Sequence, residues 1–164
     1  MYKRQLETCS NLYAINFGED LNPVFKSYQD TILLVDRGIK VISSSKGHDL
    51  MHEHPFASNR FLQASNNLDS LLPIMKSGDI DAFIKIVELE ALSLHAMMMT
   101  STPYFILIKP NTLEIIQRIW GFRMSQKIPI CFTLDAGANV HLLYPLEYKS
   151  CLLYTSDAAD ETGR

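Results

Sequence analysis

The densest concentration of possible chemistry lies in Phe132-Thr133-Leu134-Asp135-Ala136-Gly137-Ala138-Asn139-Val140-His141. Its single carboxylate, Asp135, stands beside Ala136, Gly137 and Ala138, so no bulky neighbour keeps a ligand from the backbone. A carboxylate presented in this way can orient a hydroxyl and accept its proton. The same residues also suit an ordinary tight turn, with Asp bonding its own backbone and Gly supplying positive φ. The residues alone leave both readings open.

Two further clusters carry donors. In Ile42-Ser43-Ser44-Ser45-Lys46-Gly47-His48, hydroxyls and backbone N–H groups leading into a helix start can cradle phosphate oxygens, and can equally form a plain flexible turn. His48, His52 and His54 surround Glu53 in an H-x-x-x-H-x-H pattern that a zinc site would use. The third histidine falls off the shared face and His54-Pro55 marks a helix boundary, so loop or interfacial histidines are the expectation. His95 is expected to be a hydrogen-bonded structural histidine, and Met97, Met98 and Met99 are expected to fill core gaps.

The elements that must position these residues follow from periodicity. Asp30 to Asp36 is a β-branched apolar run ended by Arg37-Gly38, with extended structure resuming at Lys40 to Ile42. Pro55 opens a helix with Phe61, Ala64, Leu68, Leu71, Leu72 and Met75 on one stripe, and Ser77-Gly78 closes it. Asp79 caps a second helix with a stripe of Ile80, Phe83, Ile84, Val87, Ala91, Leu94 and Met98. After Pro103, Tyr104 to Lys109 reads as a short buried strand. Asn111-x-x-Glu114 resembles a capping box starting a third helix, with Leu113, Ile116, Ile119, Trp120 and Met124 inward. Ile128 to Leu134 and Val140 to Tyr144 read as strands flanking the Asp135 turn. The order strand, helix, helix, strand, helix, strand, strand predicts an α+β fold, helices on one side of a mainly antiparallel sheet.

Three ordered segments carry a family resemblance. Phe132-Thr133-Leu134-Asp135-Ala136-Gly137-Ala138-Asn139-Val140 resembles the FDAGPNA-type signature of mevalonate diphosphate decarboxylases, a branch of the GHMP kinase superfamily. Ile42 to His48 resembles that family's VSST-x-G-[MH] segment, and Leu94-His95-Ala96, preceded by Glu88 and Glu90, resembles its D-S-N-x-F-H-A helix. Ser10 to Ala14 resembles the piece that follows the kinase-like half. The resemblance implies a ferredoxin-like GHMP-type C-terminal domain, incomplete here, with the active site facing an N-terminal kinase-like domain that carries the nucleotide-binding glycine and serine motif. It also implies a lyase of isoprenoid biosynthesis that converts 5-diphosphomevalonate, with ATP as cosubstrate and Mg2+, to isopentenyl diphosphate, carbon dioxide, ADP and phosphate. Asp135 would take the catalytic position; Ser44 and Ser45 would contact substrate, Ser45 standing where the family has threonine. The family suggests a homodimer. Alternatives within the superfamily are a phosphomevalonate decarboxylase and a mevalonate 3-kinase; outside it, a non-enzymatic ferredoxin-like binding module. A glycine and serine nucleotide loop upstream of Leu6 would favour the enzymes.

The termini read differently. Tyr2-Lys3-Arg4-Gln5 and Cys151-Leu152-Leu153 can be encoded by one DNA sequence in opposite orientations, and Cys151 to Glu161 resembles a translated sequencing adapter. Residues 1–5 and 151–164 are therefore expected to be library scars flanking a domain at 6–150. Removing Lys3, Arg4 and Arg164 from the basic residues, and Asp157, Asp160 and Glu161 from the acidic ones, leaves the net charge at −3. The remaining cations are scattered, which disfavours nucleic-acid binding. Cys9 and Cys131 form no spaced framework, and no apolar run approaches membrane-spanning length, so a cytoplasmic setting is expected, with no membrane partner.

Overall fold

The computed structural model describes residues 18–38 and 53–152. They form an α+β fold. A short helix α1 (Pro23–Lys26) leads into strand β1 (Tyr28–Leu33); helices α2 (Ala57–Ser77), α3 (Ile80–Thr100) and α4 (Pro110–Gln126) follow, then strands β2 (Cys131–Leu134) and β3 (Val140–Pro145). The three strands make an antiparallel sheet in the order β1-β3-β2.

Alternation along the strands divides the apolar residues between two faces. Phe132, Leu134, Val140 and Tyr144 join Ile116 and Ile119 of α4 and Ala91 of α3 in the largest buried cluster. Phe132 and Val140 are completely buried, each worth roughly 1.5–3 kcal/mol of apolar transfer. On the other face Cys131 joins Phe25, Phe83 and Ile84. Burial pushes the Cys131 thiol up to about 12, which removes it from nucleophilic chemistry. A partly buried ion pair ties the helices together: Glu88 on α3 accepts from Arg123 at 2.6 and 3.1 Å and from the Trp120 indole at 2.9 Å, both on α4. Glu90 accepts from Arg60 at 3.1 and 2.5 Å and from Asn67 at 2.6 Å, joining α3 to α2.

The expected helix boundaries hold at two caps. Gly78 takes the left-handed conformation, φ 85°, at the end of α2, and the Asp79 carboxylate accepts the Ala82 N–H at 3.0 Å at the start of α3. Elsewhere the structure departs from expectation. α2 begins at Ala57 rather than Pro55, because the His54 ring and carbonyl accept the Phe56 and Ala57 N–H groups in a preceding turn. α4 starts at Pro110, and the residue completing its cap is Thr112, whose hydroxyl accepts the Lys109 N–H. Leu113 and Met124 lie outward, 47 % and 80 % exposed, while Ile115 and Phe122 pack against the core. Met97 and Met98 are buried, as a core role requires; Met99 is 39 % exposed.

Tyr104 to Lys109 forms no strand. Phe105 and Leu107 pack on the buried Met97–Met98 pair and Ile108 on the main cluster, while Tyr104 and Ile106 are exposed. The alternation is real, yet it is satisfied against a helix end rather than a ladder. β1 ends at Leu33, three residues before the end of the expected strand, and the N–H groups of Val35 and Asp36 are taken by a side chain of the β2–β3 turn. No described helix is long and apolar enough to cross a membrane.

Candidate active site

Asp135 stands one residue beyond β2, at the start of the turn into β3. Its side chain is 73 % exposed, and among the described residues its carboxylate accepts no hydrogen bond. Its backbone carbonyl, by contrast, accepts two hydrogen bonds. The Asp135 carbonyl accepts the Gly137 N–H at 2.7 Å and the Nε2–H of the buried His95 at 3.0 Å. A carbonyl can only accept, so that ring nitrogen carries the hydrogen. Burial lowers the His95 pKa, with the bond to Asp135 opposing, and keeps the ring neutral.

Two more anchors fix the turn. Thr112, completely buried at the start of α4, donates to the Ala138 carbonyl at 2.7 Å. Asn139 accepts the N–H groups of Val35 and Asp36 at 2.9 Å each, fastening the chain after β1 to the same turn. Asp36 also pairs with Lys109 and accepts the Gly38 N–H at 2.8 Å, and the lysine holds its carboxyl below the usual carboxylate range. The chain after β1 is thereby fastened, as far as Gly38, to the Asn139 end of the turn. Ser44, Ser45, His48 and His52 lie outside the described residues.

Gly137 does not have positive φ; among described glycines only Gly78 does. Among the described residues, a methyl group added at Gly137 would meet nothing within 4 Å. Among the described residues the ordinary-turn explanation thus lacks both its features, the side-chain bond of Asp135 and the left-handed glycine. His54, the described member of the histidine cluster, has both ring nitrogens occupied: Nδ1 accepts from Phe56 at 3.1 Å and Nε2 meets the Thr100 hydroxyl at 2.9 Å.

Sequence reading assigned no role to Asn139, Thr112 or His141. His141 on β3 lies opposite Ile32 of β1 and Thr133 of β2. Its Nδ1 is 3.0 Å from both carboxylate oxygens of Asp30, and its Nε2 is 3.8 Å from Asp135 Oδ2. The signal available in sequence was period two: His141 and Thr133 share a face on adjacent strands. Pairing with β1, which brings Asp30 in, has no local signature.

The sequence and fold are similar to those of known proteins. Residues 31–158 match the family described as mevalonate 5-diphosphate decarboxylase C-terminal domain. A curated phosphomevalonate decarboxylase of Haloferax volcanii is 28 % identical over 75 residues, which is 46 % of this chain and 23 % of that protein. The crystal structure of a mevalonate diphosphate decarboxylase from Legionella pneumophila superimposes with a TM-score of 0.72 at 29 % identity, covering 84 % of this chain and 43 % of that one. A structure from Enterococcus faecalis, described as the mevalonate diphosphate mediated ATP binding mechanism of its mevalonate diphosphate decarboxylase, gives a TM-score of 0.68 at 22 % identity, covering 78 % and 38 %; it shares the fold. This chain spans less than half the length of these relatives. With the family match covering most of the sequence, the chain belongs to the mevalonate 5-diphosphate decarboxylase C-terminal domain family.

Proposed function

We propose that this chain is the greater part of the C-terminal domain of a longer enzyme catalysing ATP-dependent decarboxylation of 5-diphosphomevalonate to isopentenyl diphosphate. The observation carrying this reading is the exposed Asp135 carboxylate on a backbone held by a buried histidine. The tertiary hydroxyl of such a substrate is a poor leaving group and is first phosphorylated; loss of phosphate then draws electrons from the carboxylate as carbon dioxide departs. Asp135 orients that hydroxyl and accepts its proton during phosphoryl transfer. By the family resemblance, Ser44 and Ser45 bind substrate oxygens.

ATP supplies the phosphoryl group and Mg2+ offsets its charge. The family resemblance assigns both to the kinase-like half; among the described residues no group of three His, Cys, Asp or Glu side chains forms a metal position. The partner surface is an N-terminal kinase-like half. Exposed Ile32, on the face of β1 that carries Asp30, and exposed Leu34 just beyond the strand support an apolar contact there. The 164-residue chain alone is expected not to release carbon dioxide from substrate and ATP; release by the purified chain would contradict this.

The Haloferax match favours a second reading, in which the substrate is the monophosphate. Turnover of 5-phosphomevalonate against 5-diphosphomevalonate by the complete enzyme separates the two, the higher kcat/KM naming the substrate.

A further inference from the structure

The mechanism leaves one question of proton balance. Asp135 takes a proton from the substrate hydroxyl and must lose it before the next turnover. The group beside it is His141, whose side chain is 17 % exposed and lies between two carboxylates. Asp30 comes from β1, Asp135 from the end of β2, and His141 from the central strand between them.

The geometry is ordered rather than symmetric. Nδ1 sits 3.0 Å from both Asp30 oxygens, within hydrogen-bond reach, whereas Nε2 is 3.8 Å from Asp135 Oδ2, just beyond it. A carboxylate can only accept, so Nδ1 carries the hydrogen, and in the neutral ring Nε2 then holds a lone pair facing Asp135. Neutral histidine in water prefers hydrogen on Nε2; Asp30 imposes the opposite tautomer. The exposed Asp135 side chain has room to close the remaining gap by a small rotation.

We propose that His141 is a proton-relay and positioning residue behind Asp135, with Asp30 setting its tautomer. The inference rests on the role of Asp135 proposed above. The substrate O–H bond breaks as the proton moves to Asp135 Oδ2. The new Oδ2–H bond then breaks as Nε2–H forms, Asp135 returns to carboxylate, and the imidazolium is balanced by Asp30 until solvent removes the proton. No further reactant is required. Because β3 is the middle strand, its backbone holds the ring against both neighbours.

Two measurements test it. In the 164-residue chain, long-range 1H–15N correlation spectra at about pH 8, above the ordinary imidazole range, report which His141 nitrogen bears hydrogen. Nδ1–H is expected, with Asp30→Ala moving the population toward Nε2–H; predominant Nε2–H in the unsubstituted chain, or no change in Asp30→Ala, overturns the proposal. In the complete enzyme, His141→Gln is expected to lower kcat by about tenfold to a hundredfold with KM little changed, within the usual scale of acid–base contributions. Normal kcat in His141→Gln beside an inactive Asp135→Asn overturns the relay alone. Normal turnover in Asp135→Asn removes the reading beneath it.

Discussion

The buried ring of His95 on α3 donates to the backbone carbonyl of Asp135 at 3.0 Å, so a helix core residue fixes the position of an exposed carboxylate. The bond separates two jobs within one residue: the main chain of Asp135 belongs to the core, and its side chain stays available. His95→Phe is expected to leave that carbonyl with the Gly137 N–H alone and to destabilise the fold by about 1–3 kcal/mol in urea unfolding. His95→Gln, which can restore a donor, should recover part of the loss.

The same histidine predicts an acid limb. Its folded pKa lies below its ordinary 6.5, so as pH falls below that value the unfolded chain binds a proton that the folded one refuses. With more protons on the unfolded state, stability falls on acidification and recovers as pH rises through the window. Thermal unfolding midpoints measured from neutral pH downward should decline from about 6.5, above the carboxylate range. His95→Gln should lose this component.

Gly137→Ala distinguishes a ligand surface from a structural turn. With ordinary φ and no described atom within 4 Å of its Cβ position, the fold should change by no more than about 0.5 kcal/mol. In the complete enzyme the added methyl group should raise KM. Equal KM would show that substrate does not approach this backbone.

Asn139→Ala removes the shared acceptor for the Val35 and Asp36 N–H groups. A loss of about 1–3 kcal/mol is expected in urea unfolding, together with faster hydrogen exchange at those two amides. Unchanged exchange would mean that the segment after β1 is held by the Asp36–Lys109 pair instead.

Glu88→Ala leaves a half-buried guanidinium with the Ile130 carbonyl alone and an indole N–H without its acceptor, and should cost about 1–3 kcal/mol; Glu88→Leu combined with Arg123→Met should cost less. The exposed Glu114–Arg118 pair offers a contrast, its removal costing about 0.5 kcal/mol or less.

Local chemistry explains what was legible in the sequence. Asp79 and Gly78 announce their caps because a side-chain acceptor and a missing Cβ act within one turn of chain. The strands around Asp135 were visible because Phe132 and Val140 lie in apolar runs that only a core accommodates. Tyr104 to Lys109 misled because alternation reports half-burial and says nothing about a ladder partner. Asn139, Thr112 and the Asp30–His141 contact were hidden for a different reason: each bond joins segments far apart in sequence, and only the folded register creates it.

The central claim is tested most directly by Asp135→Asn in the complete enzyme, measured as carbon dioxide release from substrate and ATP alongside the urea unfolding curve. The account predicts that release is abolished while stability is nearly unchanged, since the carboxylate makes no hydrogen bond among the described residues. Near-normal release from a folded Asp135→Asn protein would contradict it.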